Sequence, residues 1–357
     1  MSRIGALQEK IKGRADAALI SSQRNQYYLS GVDFHDGYVL LLQEAVYLLA
    51  DFRYFEVAKA GAGEGITVIC PEGGMMSEIA TLLGRHGAKS LLVEEEVVTL
   101  AGRSQLKKVL NGIEIRQGAS EILAQLRLCK DASELAAMTE AQRLTDAAFE
   151  HILGFIGKGV REIDVALELE LFMRKNGSEG LAFDTIAVSG SASSRPHGVP
   201  RDLALENGFL TMDFGARIGG YCADMTRTVV IGRADEEMKR LYGTVLQAQE
   251  AALAAAGPGV GCRALDKVAR DIIENAGYKG CFGHSLGHGI GLDVHEAPRV
   301  SFGAAEDAVL LPGQVISCEP GIYLEGKYGC RIEDMLAITE QGIHNFTKSP
   351  KELIEIV

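Results

Sequence analysis

Short apolar runs alternate with stretches of helical periodicity over the first 120 residues. Apolar runs bounded by turn residues are typical of strands, and they lie at Ala17–Ile20, Tyr38–Leu42, Val46–Leu49, Ile66–Ile69, Leu91–Val93 and Ile113–Ile115. Amphipathic stretches between them are typical of helices, and they lie at Gly5–Ile11, Phe52–Ala60, Met75–Arg85, Leu100–Leu110 and Ser120–Leu126. This alternation indicates an α/β domain built on a mixed sheet.

Long helices dominate the pattern after this point. The segment Asp131-Ala-Ser-Glu134 is a helix start signal and predicts a helix over Glu134–Phe155. A second helix over Ile163–Lys175 ends at Asn176-Gly177, as a helix C-terminus commonly does. Two further helices are predicted at Asp235–Ala256 and Cys262–Asn275.

Each pair of long helices is followed by a predicted strand hairpin. The second part of the chain therefore repeats one layout, helix–helix–hairpin, without repeating its letters. The change of pattern between Gly118 and Asp131 predicts a domain boundary. We expect two domains, residues 1–125 and 126–357, a division that suits a chain of 357 residues.

Both predicted hairpins carry two acidic residues in otherwise apolar strands. With the first loop at Ile218-Gly219, counting outwards places Asp213 opposite Asp224. The same counting around the second turn places Glu319 opposite Glu333. Directly opposed like charges destabilise a sheet. Two such pairs need a counter-charge, and bound cations are the usual one.

A histidine-rich segment precedes the second hairpin and reads His284-Ser-Leu-Gly-His288-Gly-Ile-Gly-Leu-Asp-Val-His295-Glu296. Four carboxylates with one imidazole form a nitrogen and oxygen ligand set, which suits Mn(II), Co(II) or Zn(II) better than a thiolate-preferring metal. These ligands exceed the needs of one ion, so the pattern favours two metals that share carboxylates. Two-metal sites commonly carry hydrolytic chemistry. Three cysteines in the same strands are interpreted as buried apolar residues, not ligands: Cys222, Cys318 and Cys330.

Composition excludes several other classes of function. The net charge of −12 provides no basic surface for phosphate, which argues against nucleic-acid binding. The chain has no run of about 18 apolar residues, so we expect no membrane span. Its first residues, MSRIGALQEKIKGRADA, lack the apolar core of a signal peptide. The seven cysteines are scattered and form no CxxC, which favours reduced thiols and a cytoplasmic location.

Taken together, these motifs resemble those of the metallopeptidases with the pita-bread fold. The resemblance rests on the run HSLGHGIGLDVHE, on Asp213 with Asp224, on Glu319 in CEPG and on Glu333 in RIED. Within that family the chain is most similar to the proline-specific branch, the Xaa-Pro dipeptidases (prolidases) and Xaa-Pro aminopeptidases. The resemblance implies an α+β fold. A C-terminal pita-bread (creatinase/aminopeptidase) domain, with a curved antiparallel sheet under helices, would follow a smaller creatinase-like α/β domain with a mixed sheet.

The resemblance also implies a role for each candidate metal ligand. Asp213 would bind one metal, and His288 with Glu319 the other. Asp224 and Glu333 would bridge the two. We expect two divalent ions, Mn(II) first, with Co(II) or Zn(II) as alternatives. The substrate would be a small peptide cut at the bond preceding proline.

Three histidines and one ligand would act on the substrate, again by resemblance. His295 would hydrogen-bond the substrate carbonyl or the oxyanion, and His284 would line the substrate side. His197, in SSRPHGVPRD, would help to stabilise the transition state. Glu319 would pass a proton to the departing proline nitrogen.

Two arginines and a dimer complete the expectations. Arg331 lies two residues before Glu333, and we expect it to orient a metal-binding carboxylate through a charge-assisted bond. Arg299 either meets the free carboxylate of a dipeptide or is an ordinary surface arginine. The family architecture implies a homodimer, in which His35 or Asp36 would reach the partner's site.

Other activities stay open at the level of the sequence. A methionine aminopeptidase-like or other N-terminal exopeptidase would use the same ligands, but usually without so long an α/β domain in front. A creatinase-like C–N hydrolase shares the two-domain plan but lacks the metal set. A non-catalytic binding protein on this fold would be expected to have lost one or more ligands. The choice between dipeptidase and aminopeptidase, and the residue preferred before proline, also stay open.

Overall fold

The computed structural model of the protein describes residues 2–357. The chain divides into two compact units, of which the first ends at Arg127 and the second comprises Leu128–Val357. Within residues 2–357, no helix has the length and apolar character that crossing a bilayer requires.

The first unit is a six-stranded mixed sheet with helices around it. Its strands are β1 (Ala17–Ile20), β2 (Tyr38–Leu42), β3 (Val46–Leu49), β4 (Ile66–Ile69), β5 (Ser90–Val93) and β6 (Glu114–Gln117). Its helices are α1 (Arg3–Ile11), α2 (Gln23–Ser30), α3 (Phe52–Gly61), α4 (Met75–Arg85), α5 (Leu100–Val109) and α6 (Ala119–Arg127). The strand order is β4-β3-β2-β1-β5-β6, with β2 antiparallel to both of its neighbours and the other pairs parallel. The α/β expectation is confirmed.

Helix α2 was missing from the prediction because its sequence, QRNQYYLS, has no apolar stripe. Its position is fixed at the first turn instead. The buried carboxylate of Glu94 accepts hydrogen bonds from the backbone N–H groups of Ser21 and Ser22. Gly31 ends the helix in the left-handed conformation.

The second unit repeats a layout of two helices followed by strands. Its helices are α7 (Ala132–Phe155), α8 (Glu162–Lys175), α9 (Glu236–Ala255) and α10 (Cys262–Ile273). The strands of its first half are β7 (Gly180–Leu181), β8 (Ile186–Ser189), β9 (Gly208–Phe214), β10 (Ala216–Ile218), β11 (Tyr221–Cys222) and β12 (Met225–Ile231). Those of its second half are β13 (Gly287–Gly289), β14 (Glu296–Val300), β15 (Val315–Cys318), β16 (Gly321–Leu324), β17 (Tyr328–Arg331), β18 (Asp334–Thr339), β19 (Gly342–Asn345) and β20 (Glu355–Ile356).

Each helix pair covers its own group of strands. Helices α7 and α8 bury their apolar faces against β8, β9 and β12. Helices α9 and α10 do the same against the strands of the second half. The start of α7 is fixed by a capping box, in which Asp131 caps the helix and Glu134 bonds back to the cap. The expected α+β organisation and the internal repeat are therefore confirmed.

The register of the first hairpin differs from the prediction. Arg217 pairs with Cys222, so the turn is Gly219-Gly220 and not Ile218-Gly219. Both glycines have positive φ, which a two-residue hairpin turn of this type requires. The predicted opposition of Asp213 and Asp224 is therefore wrong. Asp213 lies opposite Thr226. Asp224 precedes Thr226 by two residues, in the break between β11 and β12.

The register of the second hairpin agrees with the prediction. Strands β16 and β17 pair Gly321 with Arg331, and strands β15 and β18 pair Cys318 with Asp334. Glu319 and Glu333 lie in the gap between these two ladders and face each other by the same count. Both residues therefore lie outside the regular strand pairing, each in the break between two strands.

Candidate active site

One cavity of about 710 Å³ in the second unit contains every side chain that the sequence predicted for the site. These residues line its wall: His197, Asp213, Asp224, His284, His288, His295, Arg299, Glu319, Arg331 and Glu333. The strand ends and breaks of both hairpins place the carboxylates there, since Asp213 is near the end of β9 and the other three follow or separate strands. The fold therefore brings together residues as far apart as positions 197 and 333.

The centre of the cavity is a cluster of buried acidic groups. Ligand atoms of Asp224, His288 and Glu333 all lie within 4.8 Å of one another. Burial and the Glu333 carboxylate raise the pKa of Asp224 well above its ordinary value. Burial and the neighbouring Glu319 and Asp213 do the same to the pKa of Glu333. The cluster is thus an electrostatic cost in the folded chain that a cation would relieve.

His288 presents one ring nitrogen to the acidic cluster. Its Nδ1 lies 3.1 Å from the carbonyl oxygen of Gly289, which fixes that nitrogen as the donor. Its Nε2 lies 3.3 Å from Glu319 Oε1 and 3.6 Å from Asp224 Oδ2. Although burial alone would raise the pKa of Glu319, the hydrogen bond and charge of His288 lower it to about 2. An oriented imidazole nitrogen beside carboxylate oxygens is the usual arrangement of a metal-binding histidine.

Asp213 supplies a second sign that the cluster is built to hold cations. Its Oδ2 accepts a 2.6 Å bond from Arg331 Nη2. Its Oδ1 is buried and has no hydrogen-bond partner among residues 2–357, an arrangement that is costly unless something else occupies that direction. The donor set of carboxylate oxygens and one imidazole nitrogen therefore fits hard or borderline divalent ions.

Neighbouring hydroxyl groups hold the carboxylates in place, and the sequence analysis did not identify them. Thr226 Oγ1 donates a 2.6 Å bond to Glu333 Oε2. Ser317 Oγ donates to Glu319 Oε1 at 3.1 Å. Thr226 alternates with Asp224 along the chain, so the same period of two that placed the aspartate could have indicated it. Ser317 has an equivalent spacing from Glu319.

Arg331 and Tyr323 form a second chain of contacts along the cavity wall. Arg331 donates its bond to Asp213 and not to Glu333, which lies two residues further along the chain. Its Nη1 donates to Tyr323 Oη at 2.8 Å. The same hydroxyl lies 2.9 Å from His284 Nε2. Burial raises the pKa of Tyr323 to about 12, so the phenol stays protonated. Tyr323 was missed, although its position four residues after Glu319 could have pointed to it.

The remaining predicted residues lie around the mouth of the cavity. The rings of His288 and His295 are 4.4 Å apart between centroids. Burial and the neighbouring His288 lower the pKa of His295. His197 lines the cavity from an exposed loop. Arg299 donates from Nε to Ser285 Oγ at 3.1 Å, which leaves its two Nη groups for another partner.

All seven cysteines belong to the described part of the chain, and none of them forms a disulfide. Those in the site-bearing strands are buried, as interpreted from the sequence: Cys222, Cys318 and Cys330. His35 and Asp36 belong to the first unit, where Asp36 accepts a bond from Arg53 Nη2 at 2.8 Å. Their contribution to a partner's site stays a prediction.

Comparison with known proteins gives the same assignment for both units. Residues 136–340 match the model of metallopeptidase family M24, and residues 3–129 match the creatinase/prolidase N-terminal domain. An Xaa-Pro dipeptidase of Pyrococcus horikoshii is 38% identical over 345 residues, which cover 96% of this chain and 95% of that protein.

Solved structures agree closely as well. An Xaa-Pro dipeptidase from Bacillus anthracis superposes with a TM-score of 0.94 at 39% identity, covering 99% of both chains. An X-Pro aminopeptidase from Thermotoga maritima superposes with a TM-score of 0.92 at 37% identity, covering 98% of this chain and 100% of that one. With the ligand cluster in one cavity and both family models matched, the chain belongs to metallopeptidase family M24 and carries the creatinase/prolidase N-terminal domain.

Proposed function

We propose that this metallopeptidase hydrolyses the peptide bond preceding proline, in dipeptides or at the N-termini of short peptides. One observation carries the proposal: four carboxylates and an oriented imidazole converge in a single cavity that also holds three further histidines and two arginines. The relatives named for Xaa-Pro cleavage support the choice of substrate. The preference for proline rests on them.

Membership of the family implies divalent metal ions as cofactors. We assign two ions, with Mn(II) preferred over Co(II) or Zn(II). Asp213 would hold one ion and His288 with Glu319 the other, while Asp224 and Glu333 would be shared. When bound, such ions lower the pKa of water and polarise a carbonyl group.

The chain's own side chains position the substrate and move its proton. Glu319 is ionised near pH 7, because the hydrogen bond and charge of His288 hold its pKa below the ordinary value despite burial. Its carboxylate would take a proton from the attacking water and return it to the leaving nitrogen. His295 has a lowered pKa, so it is neutral near pH 7 and retains one N–H to donate to the substrate carbonyl oxygen. His197, which also lines the cavity, would donate a second hydrogen bond. Arg331 holds Asp213 in position.

Other features of the proposal rest on single observations. Arg299 lines the cavity with its Nη groups available, which supports binding of a substrate carboxylate. Seven cysteines without a disulfide among them support a cytoplasmic location. A homodimer is proposed from the family architecture alone.

The test is hydrolysis by the purified full chain after removal of metal and addition of Mn(II). We expect cleavage of Ala-Pro, of Ala-Pro-Ala, or of both, and none of Ala-Ala. Cleavage of Met-Ala-Ser without cleavage of either proline peptide would support a methionine aminopeptidase-like enzyme instead. Failure of every peptide with Mn(II), Co(II) and Zn(II) would support a binding protein.

Replacing Arg299 with alanine separates the two proline-specific activities. If its guanidinium binds a dipeptide carboxylate, the KM for Ala-Pro should rise by roughly 10-fold or more, because a charge-assisted pair contributes about 1.5–3 kcal/mol. The KM for Ala-Pro-amide, which lacks that charge, should stay nearly unchanged and serves as the control. An equal rise for both substrates would remove the assignment.

A further inference from the structure

We propose that Glu162 and Arg201 form a latch that positions His197 for the reaction. The inference rests on the proposed function, since it concerns the histidine assigned there to the substrate carbonyl. His197 lies on an irregular segment, residues 195–201, called here the histidine loop. The loop follows a short helical turn at Gly190–Ser194 and has no strand pairing of its own. Its side chain is exposed at the cavity wall, so its position depends on what holds the loop ends.

The latch is a buried, fully bonded carboxylate at the start of α8. Glu162 is 0% exposed. It accepts hydrogen bonds from the backbone N of Arg201 at 2.9 Å, from Nε at 2.8 Å and from Nη2 at 2.5 Å. It also accepts from Ser189 N and Oγ at 2.7 and 2.8 Å. One carboxylate thus ties the last residue of the histidine loop to the last residue of β8.

The opposite end of the loop is tied to the metal-binding centre. Arg331 Nη1 donates to the carbonyl oxygen of Pro196 at 3.2 Å. Gly198 packs so closely on Val188 that a side chain there would lie 2.8 Å from Val188 Cγ1. The loop that carries His197 is therefore held at Pro196 by Arg331 and at Arg201 by the latch. Loss of the latch would leave the Arg201 end of the loop held by backbone bonds alone, such as the bond from Ile163 N to the Arg201 carbonyl oxygen at 3.2 Å.

The composition of the latch argues for a positioning role. A carboxylate that only capped α8 would accept from backbone N–H groups in the first turn of that helix, whereas the donors to Glu162 are Arg201 and Ser189. Here the charged partner is the loop residue Arg201, and its bidentate contact with Glu162 fixes both the distance and the orientation of the guanidinium. Arg201 Nη2 also donates to Ser189 O at 3.2 Å. The pair therefore fixes the position of the last residue of the histidine loop.

The test is a double-mutant cycle on Ala-Pro hydrolysis with Mn(II)-loaded enzyme. Arg201→Ala should lower kcat by roughly 10- to 100-fold, the effect of a misplaced group near the reacting atoms, with a smaller change in KM. In a His197→Ala background the same substitution should have almost no effect, because the latch acts through that histidine. Arg161→Ala is the matched control. Its partners Asp164 and Asp202 are on the surface beside the latch, and kcat should stay within about twofold.

A second readout does not depend on activity. In metal-free protein, Arg201→Ala and Glu162→Gln should both speed hydrogen exchange of backbone amides in residues 195–205, and Arg161→Ala should not. Arg201→Lys is a milder variant that retains the positive charge but loses the bidentate contact. Its kcat and its rate of hydrogen exchange should both lie between those of the wild type and Arg201→Ala.

The outcomes separate this inference from the proposed function. Unchanged kcat or unchanged exchange in Arg201→Ala would overturn the latch, as would an equal loss of kcat with and without His197. If His197→Ala alone retained full kcat, the assigned role of that histidine would fail, and the latch with it. A wild-type chain inactive on proline peptides would refute the proposed function, and exchange in residues 195–205 would still decide whether the latch holds the loop.

Discussion

Neighbouring buried acidic residues in this protein have opposite electrostatic surroundings. Burial and the Glu333 carboxylate raise the pKa of Asp224, while burial and the carboxylates of Glu319 and Asp213 raise the pKa of Glu333. Asp334, one residue further along, is also fully buried, but it contacts Arg227 at 2.8 Å and Lys351 at 3.0 Å. Those cations, against burial, hold the pKa of Asp334 below its ordinary value. Asp224 therefore costs stability in the metal-free chain, whereas Asp334 contributes it.

Removing each charge should consequently change stability in opposite directions. Asp224→Asn should stabilise the metal-free protein by at least about 1 kcal/mol, since each unit of raised pKa corresponds to about 1.4 kcal/mol, while lowering kcat by more than roughly 100-fold. Asp334→Asn should destabilise it by about 3–5 kcal/mol, because the buried Arg227 and the half-buried Lys351 lose their charged partner. Urea unfolding at pH 7 measures both. Destabilisation by Asp224→Asn would contradict this account.

The buried Glu162 provides a prediction about pH. Burial would raise its pKa, but the bonds from Arg201 and Ser189 lower it below the ordinary value. A carboxyl with a lowered folded-state pKa contributes stability that is present above its unfolded pKa, about 4.3, and is lost as the pH falls through the folded value. The stability difference between wild type and Glu162→Gln should therefore be largest near pH 7 and shrink below about pH 4.3. A difference independent of pH would contradict the assignment.

Glu206→Gln is the control for that experiment. Glu206 contacts the same guanidinium at 3.1 Å, but its side chain is 42% exposed. Exposed ion pairs contribute about 0–1 kcal/mol. Its replacement should have a small effect at every pH.

Secondary-structure elements were predicted well where the pattern has a single solution. The limits of β1 to β4 match, and those of β5 and β6 differ by one or two residues, because short apolar runs there are bounded by turn residues. The second hairpin has one glycine at its turn, so its register was predictable. The first hairpin has consecutive glycines, which allowed two registers. The error was two residues, an even number that keeps every side chain on its face, so the carboxylates still converge.

The sequence can indicate which residues support the site, but not what they contact. Thr226, Ser317 and Tyr323 have spacings from the acidic residues that point to the site, whereas their partners come from the neighbours that folding gives them. The pair Lys130 and Glu296 is a further example, since 166 positions separate two side chains that meet at 3.1 Å beside the cavity. Local periodicity contains no information about such partners.

The glycine turn of the first hairpin provides a test at this scale. Gly220 has a φ of +77°, so Gly220→Ala should destabilise the protein by about 1–2 kcal/mol, the cost of the left-handed conformation for an L-residue. Gly243→Ala is the matched control. This residue is in the middle of α9 with open space around it, so alanine should stabilise by up to about 1 kcal/mol. Urea unfolding measures both, and equal signs would contradict the assigned turn.

At the scale of the second unit, the site joins the two halves of the repeat. Asp213 and Asp224 come from the hairpin of the first half, and Glu319 and Glu333 from that of the second. Each half has an apolar core against its own helix pair, and Phe209 and Val230 of the first half also pack into the core of the second. The like charges therefore repel across the junction of the two halves, and cations held between them would attract both.

Metal binding should consequently stabilise the unit as a whole and not only a loop. Free Mn(II) at 100 times its Kd should raise the free energy of unfolding by about 2.7 kcal/mol, since the unfolded chain lacks the assembled ligands. Asp224→Asn removes a ligand shared by both halves, so most of this gain should disappear, although the metal-free variant starts out more stable. Urea unfolding with and without Mn(II) gives both differences. An equal gain in wild type and variant would place the bound ion elsewhere, and the acidic residues would then need another source of positive charge.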